Sequence, residues 1–377
     1  PPHSAALPTF SGTSPQLANG LQLGADNTVR GLDIDVATGT ALLGLAVGDL
    51  QLLEVDTVST GGGDAIFLSG GTSGMSATFE DVSATGAANF DTTGTLTLGL
   101  VNIGGALVIG ATNQPTTLNL NDDITAGSFP FTSANSFTSQ DITTTDGDLN
   151  IDAASITTGA LAAQEGGGVI LTATGNITTT SIASNEPGVI NGFVDVESTG
   201  GGTLDLGAVS SDGNIDLDTS GFVTTSTITS LGDLTIGGTT TPTTVTFTGN
   251  VSADVVGIAA TGTVTGLDIE STDGDLNVVA GTIAAGGVTS TEGDVILSAT
   301  GNITTTSITS NEAFATGGAI DVDSTGGGDL NLGDLTADGD IALDTTGALT
   351  ANDVTTGGNL LIGVTNLPNP ITFTGNV

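Results

Sequence analysis

Five times along this chain an acidic residue, a glycine and a second acid or an asparagine stand in a row: Asp146-Gly147-Asp148, Asp212-Gly213-Asn214, Asp273-Gly274-Asp275, Glu292-Gly293-Asp294 and Asp338-Gly339-Asp340. Two chemistries suit the pattern. Aspartate and asparagine bond back to nearby backbone in tight turns and glycine supplies positive φ, so turn formation alone explains the tripeptides. Stacked carboxylates are also hard oxygen ligands of the kind calcium takes. On that reading Asp146, Asp148, Asp212, Asp273, Asp275, Glu292, Asp294, Asp338 and Asp340 are candidate calcium ligands. No EF-hand loop is present, and Gly-Gly-Gly-Asp-Ala-Ile-Phe-Leu-Ser from Gly61 matches the nonapeptide calcium repeat poorly. No cofactor is required, and calcium stands as an accessory ion beside the turn reading.

Other reactive side chains are scarce. The chain has one histidine, His3, one full cation, Arg30, and no Cys, Trp or Tyr. A repeated aspartate is a poor unique acid or base, and a sugar-binding cleft lacks its usual stacking ring and cationic contacts, so an enzyme is not expected and a polysaccharide-active one ranks last. The formal net charge of −40 disfavours nucleic acid and anionic membrane surfaces, both of which need Lys and Arg. Divalent cations are the natural small partners. No stretch approaches the roughly 18 apolar residues of a membrane span, so this segment is not expected to insert in a bilayer.

The elements that carry these groups announce themselves by alternation. Leu32-Asp33-Ile34-Asp35-Val36, Val194-Asp195-Val196-Glu197 and Leu267-Asp268-Ile269-Glu270 alternate apolar and acidic residues with period two, the pattern of strands with one wet face. Helical periodicity is absent. Only 3% of residues are aromatic, so Val, Ile, Leu and Ala must build the core in thin layers. Self-similarity then orders the strands. Ala173–Glu186 and Ala299–Glu312 are near copies about 126 residues apart, and the block ending at Val251 returns at Val377. A more diverged copy ends at Ile124. Within each unit a shorter beat of about 21 residues recurs.

These spacings predict an all-β fold: a parallel β-solenoid, right-handed by default, of about 18 coils in three long repeats. The boundaries are an irregular N-terminal arm or cap at 1–24, a diverged repeat at 25–124, and close repeats at 125–251 and 252–377, forming one continuous solenoid. Phe129, Phe131 and Phe137 are expected to fill a wider coil or a corner. Thr-rich strands such as Asn302–Ile308 suit either a hydroxyl-lined, ice-binding face or ordinary β-structure, since Thr is a good strand former.

The beats Gly-Asp-Leu-Asn-Ile at Gly147, Gly-Asp-Leu-Asn-Val at Gly274, Gly-Asn-Ile-Asp-Leu-Asp at Gly213 and Gly-Asp-Val-Ile-Leu-Ser at Gly293 resemble the repeats of filamentous haemagglutinin and related bacterial β-helical adhesins. The resemblance implies an exported, extracellular rod at the cell surface. With the composition it leads to an expected role as a structural component of a filament, built by stacking of solenoid units and stabilised by cations. An adhesin or ice-binding stalk is the alternative. Self-association is expected through Pro370, Ile371, Thr372, Phe373, Thr374, Gly375, Asn376 and Val377, an edge with one Pro and no charge, engaging N-terminal Pro1, Pro2, Leu7, Pro8 and Phe10 or further repeats of the same chain.

Overall fold

The computed structural model describes residues 20–24, 28–36, 38–45, 51–59, 63–69, 75–185, 192–311 and 317–377. Among them there is no helix, and the strands pair in parallel. The chain divides into two compact units, 1–132 and 133–377, and forms a parallel β-solenoid of about 16 turns.

In the second unit each coil has three sides. The first face is made of strands such as Leu149–Ala153, Val169–Ala173, Val194–Ser198 and Ile215–Thr219. The second carries Ile156–Thr157, Ile177–Thr178 and Leu204–Asp205, and the third Ala160–Gln164, Ser181–Asn185 and Ala208–Ser211. Register is kept from coil to coil: Leu149 lies beside Val169, Val169 beside Val194 and Val194 beside Ile215. Because side chains alternate across a strand, the apolar partners of the acids all point inward and stack like on like. Leu149, Val169, Val194 and Ile215 are buried, while Asp195 is exposed. The long repeat is read in phase: Val194–Ser198 and Ile320–Ser324 both occupy the first face.

The first unit is built differently. Its long side consists of strands of nine or ten residues, Thr28–Val36, Gln51–Ser59, Met75–Ala84 and Gly94–Ile103. The facing side holds short strands, among them Leu42–Leu45, Ile66–Ser69, Ala88–Asp91 and Leu107–Ile109. Gly94–Ile103 pairs with two successive strands, Thr117–Leu120 over Thr95–Leu98 and Ile124–Ala126 over Val101–Asn102, so the long side breaks in two at Asn121. The wider interior is filled by aromatics: Phe79 and Phe90 meet edge to face at 5.5 Å, and Phe129 and Phe131 stack at 6.1 Å.

Two expectations are refined. Leu21–Leu23 is already a strand, in register with Leu42–Gly44, so the irregular arm cannot run to residue 24. The rest of that arm, including Pro1, Pro2, His3, Leu7, Pro8 and Phe10, lies outside the described residues, and the solenoid has about 16 turns against the about 18 expected. Phe129 and Phe131 are buried in the first unit, and Phe137 is buried on the second face of the second unit.

Candidate functional site: carboxylates at the corners and on the first face

A parallel ladder satisfies backbone groups along a strand but leaves some without partners where the chain turns a corner, and such groups must be paired. In the second unit the residue just before a strand supplies the acceptor. Asp148 Oδ1 accepts from the Gly168 N–H of the following coil at 2.8 Å, Asp275 from Asp294 at 2.9 Å, Asp294 from Ala319 at 2.8 Å and Asp340 from Asn359 at 2.6 Å. The device recurs at the other corners, where Asn176 takes the Thr203 N–H at 2.9 Å, Asp329 that of Ala348 at 2.9 Å, and Asp268 that of Gly287 at 2.8 Å. Asn214 serves in the same way for Asp233 at 3.0 Å, so an uncharged acceptor oxygen also closes a corner.

The reverse need is met by hydroxyls, buried at Ser230, Ser290 and Ser310 and half-buried at Thr356, that close the inward side of the corner. Ser230 donates to the Gly213 carbonyl of the preceding coil at 2.5 Å, Ser290 to Gly274 at 2.8 Å, Ser310 to Gly293 at 2.8 Å and Thr356 to Gly339 at 2.5 Å. At Gly213, Gly274, Gly293 and Gly339, then, the glycine carbonyl and the residue after it both receive hydrogen bonds from the next coil, while the Gly147 carbonyl accepts from Thr144 of its own coil. The leading acids Asp146, Asp273, Glu292 and Asp338 are exposed, and Asp212 is half-buried. Among the described residues no three His, Cys, Asp or Glu side chains converge so as to hold a metal. The nine calcium candidates are therefore strung along one corner of the stack.

Sequence reasoning missed a second set of acids. Asp91 Oδ1 takes the N–H groups of Thr112 and Asn113 at 2.7 and 2.6 Å, Asp218 those of Thr239 and Thr240 at 3.0 and 3.1 Å, and Asp344 those of Thr365 and Asn366 at 3.0 and 3.2 Å. Each pins a Pro-containing loop that follows the next strand of the same face. The signal was present, since these acids share the long repeat with the loops, but the partners stand about one coil apart in sequence.

A third set lies on the outside of the first face. Asp195 is beside Asp216 and Glu197 beside Asp218, and one long repeat later Asp323 is beside Asp344. Like charges directly opposite in a ladder repel. Burial, then the charges of Asp218, Asp195 and Glu197, push the Asp216 carboxyl up to about 6. Partial desolvation followed by Asp218 raises the solvent-exposed Asp195; partial desolvation followed by Asp323 and Asp344 raises Asp321, likewise exposed; partial desolvation followed by Asp344 raises Asp323. Asp216 Oδ1 and Asp323 Oδ1 are buried atoms without a hydrogen-bond partner.

The final stretch forms the strand Ile371–Phe373, in register with Leu349–Ala351, and Asn376 donates its N–H to Asp353 at 2.6 Å. Ile371 and Val377 are 43% and 70% exposed, whereas Val245 and Val251, their counterparts one repeat earlier, are 0% and 1% exposed beneath the next coil. Arg30 lies in the strand Thr28–Val36, beside Leu53. No protein-family model, curated protein or solved structure matches the chain.

Proposed function

We propose that this chain is a structural segment of an extracellular, cell-surface filament or stalk, a non-enzymatic spacer in which coils stack on coils and cations moderate the charge. The observation that carries this reading is the use made of the polar groups: corner carboxylates, amides and hydroxyls are engaged with neighbouring coils. The coarse likeness to haemagglutinin-type repeats agrees with it. Self-association through 370–377 is part of the same proposal. A charge of −40 on coils stacked about 4.8 Å apart approaches the density at which duplex DNA condenses counterions, which is why divalent ions belong to the proposal.

Negative-stain microscopy with sedimentation of the purified chain, at low salt and with added calcium, tests it. Filaments or end-joined particles that lengthen with calcium are expected. A chain that stays monomeric at every calcium and salt level overturns the assembly reading. A second reading, an ice-binding stalk, draws on Thr224, Thr246 and Thr265, which follow one another in register on the outside of the second face, with the Thr263 and Thr282 hydroxyls 2.9 Å apart. Unchanged ice recrystallisation in its presence would remove that reading.

A further inference from the structure

The outward side chains of the first face form one column: Asp195, Asp216, Thr235, Gly257, Asn277, Ile296 and Asp321 succeed one another in register over seven coils. In its middle the column has a shallow hollow, lined by Thr235, Gly238, Gly257, Ala259, Asn277 and Val279 and floored almost wholly by carbon. Val279 at its rim is 47% exposed. Gly257 creates the hollow by lacking a side chain. Nothing in the fold demands glycine there. Its φ is not positive, its pairing with Thr235 and Asn277 has no bulge, and a Cβ would meet nothing nearer than the Leu234 carbonyl at 3.8 Å. A glycine inside a strand weakens it and marks a place where something else comes close to the backbone.

Charge says what comes close. The hollow lies two coils from Asp216 and three from Asp321, about 10 and 14 Å at the usual strand spacing. Arg30 is the chain's one Lys or Arg, against 41 acids, so the chain has almost nothing to neutralise these groups and a second copy would bring only more negative charge. The upward displacement of the Asp216, Asp195 and Asp321 carboxyls by burial and by neighbouring acids reports the same uncompensated field. We infer that the first face docks a cationic polypeptide segment, one apolar side chain seated over Gly257 and basic residues placed on Asp216 at one end and Asp321 at the other. This reading is independent of filament formation.

The spans convert to a probe. At about 3.3 Å per residue, a peptide of about eight residues with lysine at both ends, leucine fourth and glycine elsewhere reaches both acids with the leucine over the hollow. Its binding at low ionic strength is compared with that of the same peptide carrying glycine in the fourth place. The leucine peptide is expected to bind roughly tenfold more tightly. Gly257→Val fills the hollow and should erase that preference while leaving the charge-driven part. Asp216→Asn with Asp321→Asn should weaken both peptides and flatten the salt dependence. Equal binding of the two peptides to the unmodified chain, which requires no variant to fold, or a preference that survives in a folded Gly257→Val chain, overturns the inference and leaves polyelectrolyte attraction alone.

Discussion

The first unit wraps its core with two sides per coil and the second with three, although both draw on the same alternation of small apolar residues. A two-sided coil has few corners, and its long strands enclose an interior that needs large side chains. Among the described residues the three phenylalanines at 0% exposure, Phe79, Phe90 and Phe129, belong to the first unit, while Phe137 and Phe247 of the second are 2% and 3% exposed. A three-sided coil has a narrow interior that Val, Leu and Ile fill, but each added corner frees backbone groups that need partners. The Asp, Asn, Ser and Thr of the second unit are the answer to that geometry. The difference teaches that the acidic, hydroxyl-rich composition of the second unit is a property of its corners before it is a property of any ligand.

The largest effect should come from the aromatic interior. Phe90→Ala is expected to cost about 3–5 kcal/mol, against roughly 1 kcal/mol for Ile215→Val in the narrow unit, measured by denaturant unfolding followed by circular dichroism. Equal costs would break the comparison, because they would mean that the first unit closes around the loss.

Glycine substitutions sharpen the corner argument. A Cβ on Gly202 would stand 2.3 Å from the Gly175 carbonyl carbon, and on Gly328 2.2 Å from that of Gly301, so the coil spacing itself forbids a side chain. Gly202→Ala should cost roughly 1–3 kcal/mol. Gly257→Ala, at an uncrowded strand position, should be neutral or stabilise by up to about 1 kcal/mol. If both substitutions shift the melting temperature the same way, close stacking is not what selects glycine at the corners.

At the corner carboxylates, Asp275→Ala should cost about 1 kcal/mol by leaving the Asp294 N–H without its partner, whereas Asp275→Asn should be nearly silent, because Asn214 already fills the equivalent role. A substitution by asparagine as damaging as that by alanine would shift the weight from the acceptor to the charge, and so towards cation binding at the tripeptides.

The smallest effect concerns pH. The folded Asp216 carboxyl titrates at about 6, above its ordinary value of 3.8, so the folded chain holds this proton more tightly than the unfolded chain does. Its contribution therefore favours folding in acid and is lost as pH rises between about 4 and 6. The melting temperature should fall across that window, and Asp216→Asn should shallow the fall. An unchanged slope in the variant would assign the pH dependence to the general charge of −40.

Strand content, parallel stacking and the 126-residue phase were legible because each depends on local alternation and on direct repetition. The two-sided coils were not. Gly94–Ile103 shows why: Leu96 and Leu98 point inward, then Val101 and Ile103 do, with the alternation slipping at Gly99. Such a slip reads in sequence as two short strands, and only pairing with the neighbouring strand shows that the chain runs straight through. The acceptor role of Asp148, Asp275 and Asp340 was half legible. Their place before a strand marks a turn, but whether the carboxylate bonds to its own turn or to the coil above is decided by stacking. The buried hydroxyls of Ser230 and Ser310 were missed because a serine ending an alternating run looks like one more surface residue.

The corner bonds also give the two sides of a coil different characters. Towards the following coil it offers acceptors, the carboxylate and the glycine carbonyl; towards the preceding one it offers donors, the N–H and the hydroxyl. Two copies meeting about a twofold axis through equivalent sides would set oxygen against oxygen or hydrogen against hydrogen. For the self-association proposed above, isologous pairing along the stacking direction would set like groups together at these corner bonds, and heterologous addition, which repeats by translation and does not close, would not.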